Sequence, residues 1–133
     1  MLDRPSPDEL LDAVASLLRE QVMPAAAGTP LAYHARVAAN ALDIVRRQIA
    51  LAPAAQQRER AALAALLASD PATDVAQLNR ALCARIASGA MSLETPGLTD
   101  ALWQITLDKL AVDQPTYDTY VRQQAAPPQP EDR

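Results

Sequence analysis

Apolar residues recur at spacings of three and four along most of this chain, in segments that prolines and helix-capping residues separate. In the first segment Leu10, Val14 and Leu17 have this spacing, which places them on one side of an α-helix. Alanine and leucine, the strongest helix formers, dominate the composition. No run alternates β-branched or aromatic residues with polar ones, as strands do. The pattern therefore predicts an all-α protein.

About five helices are predicted from these segments. Ser6-Pro7-Asp8-Glu9 is a capping box that begins the first helix, and Asp74 is the predicted N-cap of the fourth. The predicted helices cover about residues 7–23, 30–51, 55–68, 75–88 and 96–113, with a short C-terminal helical turn over 116–123. The fifth helix begins either at Thr95-Pro96 or at Thr99. Short connections favour antiparallel neighbours, so we expect an up-down bundle. Residues 1–124 form one predicted domain, and the proline-rich tail 125–133 is predicted to be disordered.

Composition narrows the classes of function. The net charge is −4, with 12 basic and 16 acidic side chains, whereas nucleic-acid binders usually present a basic face. The single cysteine cannot form an internal disulfide. The N-terminus lacks the basic start and apolar run of a signal peptide, and no stretch is apolar enough to span a membrane. We therefore expect a cytoplasmic protein without a nucleic-acid or membrane partner.

Sequence signatures of catalysis are missing. One histidine and one cysteine make a zinc site improbable, and three glycines leave no glycine-rich phosphate loop. There is no G-x-S-x-G motif and no evident Ser-His-Asp set. We expect no metal and no cofactor, and the sequence leans towards a protein that is not an enzyme.

Some polar residues fall on apolar helix faces. If these side chains converged, they would form a polar pocket for an anionic or carbonyl ligand, with the histidine as acid or base. Each also has a structural interpretation, as a hydrogen-bonded core histidine, a loop-bonded asparagine and a lysine that extends to solvent beside an aspartate. The candidate pocket residues are His34, Asn79, Lys109 and Asp113.

Two further surfaces could contact other proteins. On the second helix, an apolar arc around His34 is expected to be buried. It lies opposite a compact polar strip, which is either a solvated face or a partner surface. The strip consists of Arg36, Asn40, Asp43 and Arg47. On the fifth helix, Trp103 and Leu110 mark a second apolar face, so this helix is buried on two sides or touches another chain, as in a homodimer. Cys83 is expected to be a small core residue.

Three stretches resemble a bacterial domain-of-unknown-function family of small all-helical proteins. The stretches are His34 to Leu42, Leu78-Asn79 with Leu82 to Ile86, and Lys109 to Pro115 with Tyr117. The likeness extends from Arg4 to about Tyr120. In that family the genes tend to neighbour aminoglycoside-phosphotransferase-like kinases and acyl-CoA dehydrogenases, which implies a pathway that phosphorylates and then eliminates a hydroxyl of a hydroxyacyl-CoA. The resemblance assigns no catalytic residue.

Two hypotheses of function follow. In the first, the protein is an accessory or interaction protein, a partner of the kinase or of the acyl-CoA dehydrogenase. In the second, it is a small-molecule binder or enzyme, with an anionic or acyl-CoA-type ligand in a polar pocket around His34. Convergence of the four pocket residues would distinguish the second hypothesis from the first.

Overall fold

The computed structural model describes residues 4–125, and within this range all regular secondary structure is helical. The helices are α1 (Pro7–Leu17), a π-helical turn (Leu18–Val22), α2 (Met23–Ala25), α3 (Pro30–Leu67), α4 (Val75–Ala87), α5 (Leu98–Asp113) and α6 (Asp118–Ala125). The predicted all-α class is confirmed. Residues 126–133, most of the predicted tail, lie outside the described residues. No helix in the described part of the chain is both long and apolar enough to cross a membrane.

Helix boundaries follow the predicted capping residues. The Glu9 amide donates to the Ser6 hydroxyl at 3.2 Å, and the Ser6 amide donates to the Glu9 carboxylate at 2.6 Å. This reciprocal pair satisfies two of the amides that have no partner at the start of α1. Asp74 likewise accepts from the Ala76 amide at 3.0 Å at the start of α4. Beyond α4, Gly89 has a φ of +76°, a left-handed conformation that suits glycine after a helix.

Helix α3 differs from its prediction, because it continues through Pro53. Two separate helices over 30–51 and 55–68 were predicted here, and that prediction is wrong. Proline removes one backbone hydrogen bond and strains the preceding turn. In α3 the helix nevertheless continues for more than three turns on each side of Pro53, so the loss of one bond does not end it.

The chain divides into two compact units at this proline, Met1–Ala52 and Pro53–Arg133. We call the first the hairpin unit and the second the C-terminal unit. That residues 1–124 behave as one domain stays a prediction.

The hairpin unit pairs α1 with the first half of α3 in antiparallel orientation. Arg19, beyond the end of α1, bonds to Asn40, whereas Asp8 at its start bonds to Arg46 further along α3. The fully buried side chains between the two helices are Ala15 and Ala39. Methyl side chains allow close approach of the two backbones, so alanine rather than leucine lies at this contact.

The C-terminal unit has a conventional leucine-rich core. Its side chains come from the end of α3, from α4, from the loop that follows α4, and from α5. The buried cluster contains Leu63, Ala64, Leu67, Leu78, Leu82, Met91, Leu98 and Ile105. Arg85 of α4 donates to the Leu67 carbonyl at 3.3 Å, which gives one of the unpaired carbonyls at the end of α3 a partner.

Candidate functional site

Arg46 is the centre of an ion-pair cluster between the two helices of the hairpin unit. Its Nε lies 2.8 Å from Oδ1 of Asp8 and its Nη2 lies 3.2 Å from Oδ2 of the same carboxylate. Asp12 also binds this guanidinium, and Asp43 lies 3.8 Å from it. The hydrogen bond from Arg46 lowers the pKa of Asp8 below its ordinary value of 3.8, and the same bond raises the pKa of Arg46.

The predicted polar strip on α3 faces this cluster. Asn40 accepts a hydrogen bond from Arg19 at 3.4 Å, and Asp43 forms an ion pair with the same guanidinium. Arg47 lines an open pocket of about 280 Å³ together with Asp43 and Arg46. Asn40 and Asp43 are therefore engaged within the chain, and Arg36 is exposed. That this strip binds a partner stays a prediction.

The other side of the hairpin unit exposes its apolar residues. The sequence predicted that the apolar arc of the second helix would be buried, and this is wrong, because Ala35 and Ala39 face α1 instead. Leu31, for example, is 55% exposed and Ile49 is 50% exposed. The large apolar side chains left exposed in this unit are Leu10, Val14, Leu17, Leu31, Tyr33, Val37, Ile44, Val45, Ile49 and Leu51.

His34 lies among these exposed apolar residues. Its ring meets that of Tyr33 edge to face, with 5.9 Å between the ring centroids. The predicted burial of His34 is wrong, since its side chain is exposed. The histidine belongs to the hairpin unit, whereas the other three candidate pocket residues belong to the C-terminal unit.

The other three candidate pocket residues lie on two helices of the C-terminal unit. Asn79 is half-buried and donates to the Glu59 carboxylate at 2.8 Å and to the Val75 carbonyl at 3.1 Å. Lys109 and Asp113 are exposed, and no ion pair joins them among the contacts of the described residues. A ligand site formed by the four residues stays a prediction.

Several interacting residues were missed from the sequence. Arg46 and Arg19 join α3 to the first helical stretch, and Arg58 binds Asp108 at 2.8 and 3.2 Å in the C-terminal unit. The spacing of Asp8 and Asp12, four residues apart on α1, was a signal for a basic partner on another helix. Cys83, predicted to be a core residue, is exposed. Within residues 4–125, no group of three His, Cys, Asp or Glu side chains could hold a metal ion.

The second apolar face predicted for the fifth helix is present on α5. Leu98, Ile105 and Val112 point into the core at intervals of seven residues. Trp103, Leu107 and Leu110 occupy the opposite side of the helix, since each residue advances about 100° around its axis. Leu107 and Leu110 are half-buried, whereas Trp103 is 45% exposed. We call these three residues the Trp103 face.

Comparison with known proteins identifies a family. The model of a domain of unknown function, DUF6285, matches residues 24–117. The chain belongs to this family. The DUF6285 match includes all of α3, α4 and α5, hence the Trp103 face and most of the exposed apolar residues of the hairpin unit, whereas α1 precedes it. Neither a curated protein nor a solved structure matches the chain.

Proposed function

We propose that this protein is an accessory interaction protein that docks onto a metabolic enzyme through the Trp103 face of α5. The observation that supports the proposal is the exposure of Trp103, 45% of whose surface is open on the side of α5 opposite the core. Tryptophan is enriched among the residues that contribute most to binding between proteins. Burial of its large ring against a partner contributes much favourable free energy to binding, and this contribution is absent while the ring stays in water.

The neighbours of Trp103 also suit a docking surface. Leu107 and Leu110 lie on the same side of α5 and are half-buried, so they extend the apolar surface around the exposed ring. A centre of aromatic and aliphatic side chains is the usual anatomy of a protein interface.

The proposed partner is an aminoglycoside-phosphotransferase-like kinase or an acyl-CoA dehydrogenase in hydroxyacyl-CoA metabolism. This choice rests on the family resemblance seen in the sequence. The alternative, a ligand pocket around His34, has less support, because His34, Lys109 and Asp113 are exposed. Small-molecule sites usually bury most of their ligand, which exposed side chains on open helix surfaces do not.

The single tryptophan makes a direct test feasible. Fluorinated tryptophan incorporated into this protein gives one ¹⁹F resonance, at Trp103, and an unlabelled partner is invisible in that spectrum. We expect the resonance to shift or broaden when the kinase or the dehydrogenase from the same genome is added. An unchanged resonance with both enzymes, at concentrations that saturate a micromolar complex, would contradict the proposal.

Two variants locate the binding surface. Trp103→Ala is expected to weaken binding to the enzyme by roughly thirtyfold or more, as the truncation of an interface hot spot does. Tyr33→Ala removes an aromatic side chain that is more exposed, at 63%, but lies in the hairpin unit, and it is expected to leave the affinity unchanged. Calorimetric titration measures both affinities. Equal affinity of Trp103→Ala and the unaltered protein would place any complex on another surface.

A further inference from the structure

The hairpin unit has one apolar side whose residues come from both of its helices. We define this apolar side by the exposed residues Leu10, Val14 and Leu17 of α1 together with Leu31, Val45 and Ile49 of α3. We propose that a second copy of this chain covers the apolar side, so that two hairpin units form a four-helix bundle about a two-fold axis. This proposal is independent of the Trp103 face, which lies on α5.

Helix geometry places the two sets of residues together. When each helix is viewed from its N-terminus, its exposed apolar residues are rotated in the same direction away from the residues that contact the other helix. Because α1 and α3 are antiparallel, the same direction of rotation places both sets of apolar residues on one side of the helix pair. Leu11, Leu18 and Leu42 are half-buried, as expected for leucines along the seam between the helices on that side.

The hairpin unit buries too little within itself to account for its apolar residues. Within residues 4–52 the buried side chains are all alanines: Ala15, Ala26, Ala35 and Ala39. Two helices joined by methyl contacts and exposed ion pairs gain little, because such ion pairs contribute at most about 1 kcal/mol each. Leu11, Leu18 and Leu42 are only half-buried along the seam, and the other leucines, valines and isoleucines of α1 and of the first half of α3 are more exposed. Another copy of the chain, which is present wherever the chain is, can supply the missing burial.

The charge distribution fits self-association. The charged residues of α1 and of α3 up to Ala52, among them Asp8, Asp12, Asp43 and Arg46, lie at or beyond the α1–α3 contact, away from the apolar side. Among the described residues of the apolar side, His34 is the titratable side chain. A two-fold axis brings each surface against its own copy, so like charges would meet and repel. A surface without Asp, Glu, Lys or Arg avoids this repulsion. Such a surface offers no opposite charges to a charged partner.

The available area is close to what a stable dimer needs. The six residues are each 42–55% exposed. Together with the alanines, the half-buried leucines and His34 between them, they expose on the order of 700 Å² per copy, against about 800 Å² per partner in a standard protein interface. Two antiparallel pairs stacked through such surfaces form an up-down four-helix bundle, a common arrangement of helices.

The oligomeric state of the full chain tests the proposal. By light scattering after size exclusion, we expect a mass twice the 14.2 kDa of one chain. Val45→Glu should weaken dimerisation at least about a hundredfold, because it buries an unpaired carboxylate in an apolar interface. Val121→Glu is the matched control, since Val121 of α6 is 48% exposed and Val45 is 45% exposed, and it should leave the doubled mass unchanged.

A measurement on the unaltered protein covers the case in which Val45→Glu fails to fold. If the dimer stabilises the hairpin unit, the melting temperature rises with protein concentration, because association favours the folded state by mass action. A single-chain mass with a constant melting temperature overturns the proposal. So does a dimer that persists in a folded Val45→Glu variant. Trp103→Ala should remain dimeric, so the failure of one proposal leaves the other intact.

Discussion

Arg46 of α3 holds Asp8 of α1 through two nearly parallel hydrogen bonds, from Nε to Oδ1 at 2.8 Å and from Nη2 to Oδ2 at 3.2 Å. The two residues are 38 positions apart in the sequence. A planar guanidinium that binds a carboxylate through two hydrogen bonds fixes both the distance and the orientation of the two groups. A single ammonium group does not fix the orientation. This contact therefore sets the register of α1 on α3, while the alanines between the helices permit several registers.

The first prediction concerns this two-point contact between Arg46 and Asp8, which we call the fork. Arg46→Lys keeps the charge and loses the two-point geometry, so we expect a modest fall in the free energy of unfolding, and a larger fall for Arg46→Met. A double-mutant cycle with Asp8→Asn, measured by urea denaturation, should show a coupling between the two positions. Arg36→Met, an exposed change on the same helix, should be nearly neutral. Additive effects of Arg46→Met and Asp8→Asn would show that the fork contributes nothing measurable.

The second prediction is the pH dependence of stability. Arg46 lowers the pKa of Asp8 below 3.8, and hydrogen bonds from the amide and hydroxyl of Ser6 lower the pKa of Glu9 below 4.5. Both carboxylates bind protons more weakly in the folded state. Their contribution to stability is therefore complete above these ordinary values and is lost as the pH falls through the lower, folded-state values.

Urea denaturation at a series of pH values checks this dependence. We expect a nearly constant unfolding midpoint well above pH 4.5, and a decline once the pH falls below 4.5 and then below 3.8. Because both groups are exposed, salt should reduce the decline. Asp8→Asn removes one of the two groups and should make the decline shallower. A variant whose decline matches that of the unaltered protein would remove Asp8 from the explanation.

The third prediction concerns the alanines between α1 and α3. Ala15 is fully buried, so Ala15→Leu must separate the two helices or strain their side chains, at an expected cost of about 1–3 kcal/mol. Ala13→Leu makes the same change at an exposed position of the same helix and should change the stability little. Equal stability of the two variants would mean that the helices do not approach as closely as Ala15 and Ala39 indicate.

Contacts between residues close in the sequence were predictable, whereas contacts between helices were not. The starts of α1 and α4 were predicted correctly, because Ser6 and Asp74 bond to amides within three residues. The orientation of α3 in the hairpin unit was not. Its apolar arc is a strong signal for burial, whereas the pairings of Arg46 with Asp8 and of Arg19 with Asn40 show that the other side faces α1.

The candidate site was predicted less well for the same reason. Helical periodicity placed His34 on an apolar face correctly, but it could not show whether another helix covers that face. The second apolar face of α5, marked by Trp103 and Leu110, can be located from the sequence, because a helix with apolar residues on two sides shows both in its own sequence. That this face contacts another chain stays a prediction. Asn79 was expected to bond to a loop, and its bond to Glu59 depends on the packing of α4 against α3.

The last prediction concerns Pro53, which was expected to end a helix and instead lies inside α3. Pro53→Ala restores an amide that can donate to the carbonyl of Ile49 and removes the clash of the ring with the preceding turn. Alanine is favoured over proline in a helix interior by about 3 kcal/mol, so we expect a gain in unfolding free energy of about 1–3 kcal/mol. Pro115→Ala, in the turn between α5 and α6, is the control. It should be neutral or destabilising, because proline restricts the unfolded chain. If Pro53→Ala were no more stable than the unaltered protein by thermal and urea denaturation, the helical path through residue 53 would be contradicted.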